Sequence, residues 1–508
     1  MAYIQFFGNL PTGLRIKDLF VSPATGISLT QDTAPNIASF SVKTKKGGVP
    51  VTYYGSGLSL AQGSVSAITF GSEHKPWLTY GSAADTTIRF WYGNELAAFH
   101  GNGALAAAIV MAGADYLRGS SKNDYLEGYA GDDTLHGGAG NDTMVGGTGN
   151  DIYYVGSASD RIFEYHRAGY DTVIASVSYK LPAAMEIEVL QAASGTKKLT
   201  LTGNSFANLI IGNDGANTLA GGGGRDTLEG GRGNDTYVIN DARTVIIEKA
   251  GGGKDTVRTA MNYTLTKNSA VENLMATGGK GVRLTGNDGK NTISGNDAAN
   301  VLKGLGGNDI IYGGLGNDTI HGGTGNDALY GGDGIDRLYG EAGNDRIYGG
   351  SEDGFLFGGA GNDVLYGYWN NDLLQGDAGN DILHGHTGND TLNGGLGRDT
   401  LSSGEGYDVI VFDTRLGSGN VDTITDFNPW ADQMRLKLSV FKGIGHTGKL
   451  GDNQFWTGAK AHAASDRIIY DKGAGALYYD PDGTGAAPQV KFAVVGQIDL
   501  SAAAFLIV

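Results

Sequence analysis

The sequence predicts an all-β chain: a parallel β-roll or β-helix solenoid of nonapeptide repeats, with a β-rich domain before it and another after it. Three observations carry this. From Gly304 to Phe412 a carboxylate returns every nine residues with an aliphatic residue two places later, and a short fixed period marks a stacked repeat architecture. There are 87 glycines against 9 prolines, and the glycines lack a three-residue period, which excludes collagen and leaves tight loops as their use. The flanking regions hold short runs of strand-type residues separated by turn residues, the pattern of small sheets.

Composition narrows the partners. A formal charge of −17 repels nucleic acids and anionic membrane surfaces and favours cationic partners or bound metal. With no cysteine, disulfides, thiolate nucleophiles and zinc–thiolate sites are excluded, so a metal must take oxygen or imidazole. No uninterrupted apolar run reaches spanning length, and Met1–Phe7 has neither the basic nor the apolar part of an export signal, so no membrane span is expected.

Residues 1–112 read as an N-terminal β-rich domain of unread role. Strand-type runs lie at Ala38–Val42, Val51–Tyr54, Ser64–Phe70 and Thr87–Tyr92, and the Ala-rich stretch Glu95–Met111 suggests a helix. Its polar residues Glu73, His74, Asp85, Glu95 and His100 have no motif spacing, and surface placement is the plainer reading. Along a strand, Ile88, Phe90 and Tyr92 share one face, which points to core packing before a sugar site. The chain has no His-Glu-x-x-His, no Gly-x-Ser-x-Gly and no phosphate-binding glycine loop, so zincin, lipase and nucleotide chemistry are not expected. No catalytic residue is assigned.

The first array, 113–155, places Asp115, Asp124, Asp133, Asp142 and Asp151 in phase, with Leu117, Leu126, Leu135, Met144 and Tyr153 in the apolar slot. Residues 156–303 hold two interruptions around a second short array (208–240) of Asn208, Asn217, Asp226 and Asp235. Tyr153, Glu164, Asp171, Tyr179, Leu181, Glu188 and Leu190 recur 84 residues later as Tyr237, Glu248, Asp255, Tyr263, Leu265, Glu272 and Leu274. This internal duplication suggests wider rungs of the same solenoid. Its acidic residues read as metal ligands or as turn and ladder residues. Asn208, Asn217, Asn291 and Asn300 open the second and third arrays without a carboxylate charge, which predicts weak or absent metal binding there; a turn-forming role stands beside it.

The main array, 304–412, runs through Asp309, Asp318, Asp327, Asp336, Asp345, Asp363, Asp372, Asp381, Asp390, Asp399 and Asp408, with Gly354 breaking the carboxylate file but not the register. Its unit, seen in Gly313-Gly314-Leu315-Gly316-Asn317-Asp318-Thr319-Ile320, pairs a glycine-rich turn with a three-residue strand whose middle side chain enters the core. Two units make a turn of about 18 residues, and turns stack at the strand spacing of roughly 4.8 Å.

This unit resembles the RTX (repeats-in-toxin) nonapeptide of secreted bacterial proteins. The resemblance implies Ca2+ as cofactor, several ions per chain, with Asp133, Asp142, Asp151, Asp226, Asp235 and the eleven main-array carboxylates as metal ligands. The physics is compatible: Ca2+ takes six to eight oxygens at about 2.3 to 2.6 Å, which stacked loops supply. Carboxylates 18 residues apart share a site by this reading, as in Asp309/Asp327, Asp318/Asp336, Asp327/Asp345, Asp363/Asp381, Asp381/Asp399 and Asp133/Asp151. Sites touching Gly354 or the Gly367-Tyr368-Trp369-Asn370-Asn371 loop are expected to be weak.

Residues 413–508, with strand runs at Asp422–Phe427, Asp466–Asp471, Ala476–Asp480 and Val490–Val495, resemble the C-terminal region of serralysin-like RTX proteins, which implies a type I ABC exporter as partner. Asp480-Pro481-Asp482-Gly483 echoes an EF-hand loop but lacks its bidentate Glu and helices, and reads as a hairpin turn. The expected function is a non-enzymatic secreted or cell-surface protein that folds on calcium, with an adhesive or matrix role and a glycan or cell-surface ligand. The alternative is a calcium-dependent polysaccharide-acting enzyme whose site lies in 1–112. Oligomeric state is not legible.

Overall fold

The computed structural model describes residues 114–508 in full and, before them, the backbone of the strands Tyr3–Phe7, Ser28–Asp32, Ser39–Thr44, Gly47–Val49, Ser59–Leu60 and Ile109–Val110. Tyr3–Phe7 pairs parallel with Ser28–Asp32 and antiparallel with Ser39–Thr44, which meets the strand expected at 38–42. The runs at 51–54, 64–70 and 87–92, and Glu73, His74, Asp85, Glu95 and His100, lie outside the described residues. Of the helix expected over Glu95–Met111 only Ile109–Val110 are described, and they form a strand antiparallel to Ser59–Leu60. The rest of that run lies outside the described residues; at 109–110 two adjacent β-branched residues favour a pleated partner.

The chain divides into two units, Met1–Gly253 and Lys254–Val508. In the first, successive strands alternate between sheets. Tyr116–Arg118, Thr134–His136, Ile152–Val155, Thr172–Ala175, Val189–Ala192, Leu209–Ile211, Thr227–Glu229 and Val245–Ile247 stack in one parallel sheet, while Tyr125–Ala130, Thr143–Thr148 and Arg161–Phe163 form another. The interruption therefore stays within the solenoid as wider rungs: Thr172–Ala175 pairs with Ile152–Val155 on one side and Val189–Ala192 on the other.

The second unit contains the main array. Ile310–Leu315, Ala328–Asp333, Arg346–Gly350, Val364–Trp369, Ile382–Thr387 and Thr400–Glu405 stack in parallel in one sheet, and the intervening strands from Val301–Gly306 to Val409–Phe412 stack in the other. Partners are 18 residues apart, as in Ile311 with Leu329. The aliphatic file is complete: Leu302, Ile311, Ile320, Leu329, Leu338, Ile347, Leu356, Leu365, Leu374, Leu383, Leu392, Leu401 and Ile410 have no exposed surface. Each buried Leu or Ile contributes on the order of 1.5–3 kcal/mol relative to exposure, which is why the register survives Gly354.

The strands are longer than the three residues expected. Most in this array have six, because pairing continues through the Gly-Gly pair, as in Gly314 with Gly332. At Gly323 this close approach leaves no room for a side chain, since a Cβ there would collide with the Leu305 carbonyl.

After Phe412 the roll runs on into the tail. Gln433–Leu436 pairs parallel with Val409–Phe412, and Phe505–Ile507 pairs parallel with Gln433–Leu436. Ile468–Asp471, Ala476–Tyr479 and Val490–Val494 form antiparallel pairs over a core that includes the edge-to-face rings of Phe412, Phe441 and Phe492. The Asp480 loop is a hairpin turn, with Asp480 Oδ1 accepting the N–H groups of Asp482 (3.2 Å) and Gly483 (2.8 Å).

Candidate metal centre

Each nonapeptide turn brings its Asp to the same place, one residue before a strand and under the loop of the neighbouring turn. Every carboxylate expected as a ligand is buried, with none more than 2% exposed. One oxygen of each has a fixed task. Oδ1 accepts the backbone N–H of the residue 18 positions earlier: Asp115 to Asp133 (2.8 Å), Asp124 to Asp142 (2.9 Å), Asp133 to Asp151 (2.7 Å), Asn208 to Asp226 (2.9 Å) and Asn217 to Asp235 (2.6 Å). In the main array the same bond joins Asn291 to Asp309, Asn300 to Asp318, Asp309 to Asp327, Asp318 to Asp336 and Asp327 to Asp345, at 2.7 or 2.8 Å. It continues from Asp345 to Asp363, Gly354 to Asp372, Asp363 to Asp381, Asp372 to Asp390, Asp381 to Asp399 and Asp390 to Asp408. All the pairs expected from the 18-residue rule are thus brought together.

The other oxygen has no such task. Oδ2 of Asp133, Asp142, Asp151, Asp226, Asp309, Asp318, Asp327, Asp336, Asp345, Asp363, Asp372, Asp381 and Asp390 is buried with no hydrogen-bond partner. It sits over the first glycine of the unit: a Cβ on Gly304 would collide with Asp309 Oδ2 and with the Gly322 carbonyl oxygen, and Gly313, Gly376 and Gly385 repeat this. The three glycines therefore have different reasons. Gly314 and Gly316 hold φ of 112° and 92°, a left-handed region closed to most side chains, whereas Gly313 is needed for space.

Burial is the main cause that raises these carboxyls: Asp309, Asp336 and Asp390 to about 7, Asp372 and Asp381 to about 8. Like charges add to it, as Asp399 and Asp363 do at Asp381. A buried carboxylate oxygen without a partner costs several kcal/mol. A proton or a cation relieves that cost, and a row of oxygen-only donors fits a hard divalent ion such as Ca2+. These residues fit the metal that the repeat implies.

The Asn-headed rungs are built differently. Asn208 Oδ1 accepts the Asn204 N–H (2.9 Å) and its Nδ2 donates to the Ile187 carbonyl (2.7 Å). Asn291 does the same with Asn287 (2.8 Å) and Val271 (3.2 Å), and Asn217 with Asn213 and Lys197. In Asn208, Asn217 and Asn291 the amide oxygen lies over the first glycine of the unit, where the Asp rungs leave Oδ2 unpartnered, and here it accepts the N–H of the residue four places earlier. Asn serves these rungs as an internal cross-link, not as a loose turn-former.

Departures in the loops carry strain. Leu305, Glu341, Tyr368, Asp377 and His386 hold φ between 69° and 81° in the second-glycine slot, and Asn370 holds 69° in the third. Gly354 offers no carboxylate to the Asp336 N–H.

Sequence reasoning did not assign Asp160, Asp422 or Asp432 to the ladder, and read Asp171 and Glu188 as metal ligands or as turn and ladder residues. Asp160 accepts the Asp142 N–H (2.9 Å), Asp171 that of Asp151 (2.8 Å), and Glu188 that of Asp171 (2.7 Å). In the tail, Asp422 and Asp432 accept from Asp399 and Asp408, both at 3.2 Å. Burial and the Asp399 carboxylate hold Asp422 well above the usual range. Asp160 lies 18 places on and in phase, whereas Asp171, Asp422 and Asp432 lie 20 to 24 places on and Glu188 17, so a strict 18-residue rule passes over those four. A second ladder was also missed: Asn308, Asn326, Asn344 and Asn362 each accept the N–H of the residue 18 later. The recurring Asn-Asp dipeptide was its signal.

Fold and rows together define a β-roll whose turns are lined by buried carboxylates. The RTX calcium-binding nonapeptide repeat matches residues 111–144, 127–162, 202–237, 285–320, 321–356, 350–383 and 375–410. The chain carries RTX calcium-binding nonapeptide repeats over residues 111–162, 202–237 and 285–410. Among solved structures it is similar to the AlgE6R3 subunit of the mannuronan C5-epimerase from Azotobacter vinelandii, at 26% identity over 31% of this chain and 78% of that one, with a TM-score of 0.18. The comparison with curated proteins returned no match. Among the described residues no helix is long and apolar enough to cross a membrane.

Proposed function

We propose that the carboxylate rows hold Ca2+ between turns, that ordering of the roll follows ion binding, and that the chain works outside the cell as a secreted or surface-associated adhesive or matrix protein. The supporting observation is the row of buried, unpartnered Oδ2 atoms. Asp133, Asp142, Asp151, Asp226, Asp235, Asp309, Asp318, Asp327, Asp336, Asp345, Asp363, Asp372, Asp381, Asp390, Asp399 and Asp408 are the proposed side-chain ligands. Bound calcium supplies the positive charge that these rows otherwise lack. The chain's own residues set the spacing: Oδ1 pins each loop to its neighbour, and the first glycine of each unit leaves room beside Oδ2.

Calcium scarcity inside the cell and abundance outside would time folding after export through a type I exporter. The tail 413–508, whose resemblance implies the exporter, is folded into the roll with Phe505 and Ile507 each 1% exposed, so an exporter that reads it would meet it before folding. The test is circular dichroism of the full chain. EGTA should abolish most β-signal and millimolar calcium restore it; a spectrum indifferent to EGTA overturns the proposal. Glycan-array binding of the full chain, with and without calcium, tests the adhesive role.

A further inference from the structure

The interruption after the first array contains a cluster that the nonapeptide pattern does not account for. One carboxylate oxygen from each of Asp151, Glu164 and Asp171 lies within 4.8 Å of the others, and all three residues are buried, at 0%, 8% and 1% exposure. They come from different strands. Asp151 and Asp171 precede Ile152–Val155 and Thr172–Ala175 in one sheet, whereas Glu164 follows Arg161–Phe163, which pairs with Thr143–Thr148 in another. The cluster therefore joins the two sheets within one wide rung and does not lie in a file of equivalent loops.

Its hydrogen bonds leave two oxygens over. Asp151 Oδ1 accepts the Asp133 N–H and Asp171 Oδ1 the Asp151 N–H, so both side chains are held. Oδ2 of Asp151 and Oδ2 of Asp171 are buried without a partner. Glu164 accepts from the Tyr153 hydroxyl and from the Tyr165 N–H (3.2 Å). The charges acting on Glu164 are all carboxylates, Asp171, Asp151 and Glu188. A Cβ on Gly146 would collide with both Asp151 Oδ2 and the Tyr153 hydroxyl, so glycine keeps this space open.

We propose that Asp151, Glu164 and Asp171 form a calcium site of a second kind, built by the interrupting module and closed by the Tyr153 phenol, which fills the core slot and orients Glu164. Three carboxylates without a neighbouring cation need about two positive charges to stay ionised in such a place. The donors are oxygen alone, which selects a hard divalent ion over zinc or copper. The sequence repeats this chemistry as Asp235, Tyr237, Glu248 and Asp255. Two of its contacts recur as well: Tyr237 donates to Glu248, and Gly230 faces the Asp235 carboxylate and the Tyr237 hydroxyl. The module is on this reading a separate ion-binding rung that bridges one array to the next. The choice of ion rests on the calcium-dependent reading above.

The test counts calcium bound to the full chain by equilibrium dialysis, for the parent and for Glu164→Gln, which keeps an acceptor for Tyr153 and removes a charge. About one ion fewer per chain is expected, with the remaining ions binding as in the parent. An unchanged count and titration overturns the site and leaves the nonapeptide rows standing. A parent chain that binds no calcium overturns both readings. Should Glu164→Gln fail to fold, Tyr153→Phe decides, because it leaves every carboxylate in place. Terbium emission excited through tyrosine should fall in Tyr153→Phe while the number of bound ions holds, and unchanged emission overturns the proposal.

Discussion

Asp381 and Asn208 occupy equivalent places at the head of a strand, Ile382–Thr387 and Leu209–Ile211, and each is pinned to a neighbouring turn. Asp381 receives the Asp363 N–H on Oδ1 and keeps Oδ2 buried and unpartnered. Asn208 receives the Asn204 N–H on Oδ1 and turns its amide nitrogen to the Ile187 carbonyl. One rung is completed from outside by a cation or proton, and the other is completed by its own side chain. Rungs that open an array after an interruption are thus self-sufficient, whereas on the proposed calcium-dependent reading the long run that follows is conditional on its ions.

The largest expected effect is on calcium removal. Hydrogen exchange of the full chain in EGTA should lose protection chiefly across 309–408, with the Asn208 and Asn217 rungs holding longer. Uniform loss at both would remove the distinction. Next in size is pH. The metal-free fold holds Asp309 and Asp336 at about 7 and Asp381 at about 8, against an ordinary value of 3.8. The folded chain therefore binds protons more tightly than the unfolded one. Stability from these groups is full below about pH 4 and is lost as pH rises towards 7 to 8. In EGTA, acidification should restore β-structure followed by circular dichroism, and calcium at neutral pH should replace the protons.

Asp381→Asn sharpens the comparison within one residue. In calcium it should lower stability by about 1–3 kcal/mol, the worth of a charged interaction; in EGTA near pH 7.5 it should raise stability, because the fold no longer has to bury a carboxylate or take up a proton in its place. Asn208→Asp should do the reverse in EGTA. Urea unfolding with and without calcium reads both signs, and equal signs in the two buffers would sink the account. The smallest effect belongs to the strained loops. Tyr368 holds φ of 79° where the unit places glycine, so Tyr368→Gly should stabilise the calcium-loaded chain by about 1 kcal/mol, seen as a shifted urea midpoint.

Much was legible in the sequence because the repeat is local and periodic. A nine-residue phase with an aliphatic residue in one slot specifies alternating strands, an 18-residue turn and a continuous core, since each requirement involves only the next turn. The pairing of Asp309 with Asp327, and of each later pair, followed from that count. The glycines were readable as a class, but their division was not: Gly316 answers to its own φ, whereas Gly313 answers to the Asp318 carboxylate lying over it. Of the helix expected over Glu95–Met111 only Ile109–Val110 are described, and composition alone does not say which partner those two β-branched residues find.

The sequence by itself determined the solenoid, its register and the rows of Asp, because these depend on spacing along the chain. Only the tertiary structure decided which oxygen of each carboxylate is spent on the backbone and which is left over. It also decided that Asn amides complete the opening rungs, that Asp422 and Asp432 extend the rows into the tail, and that Glu164 meets Asp151 and Asp171. The physical reason is the same in each case. These are contacts between groups 4 to 24 residues apart, outside a nine-residue rule, and what an oxygen does is settled by the donors that the fold brings to it.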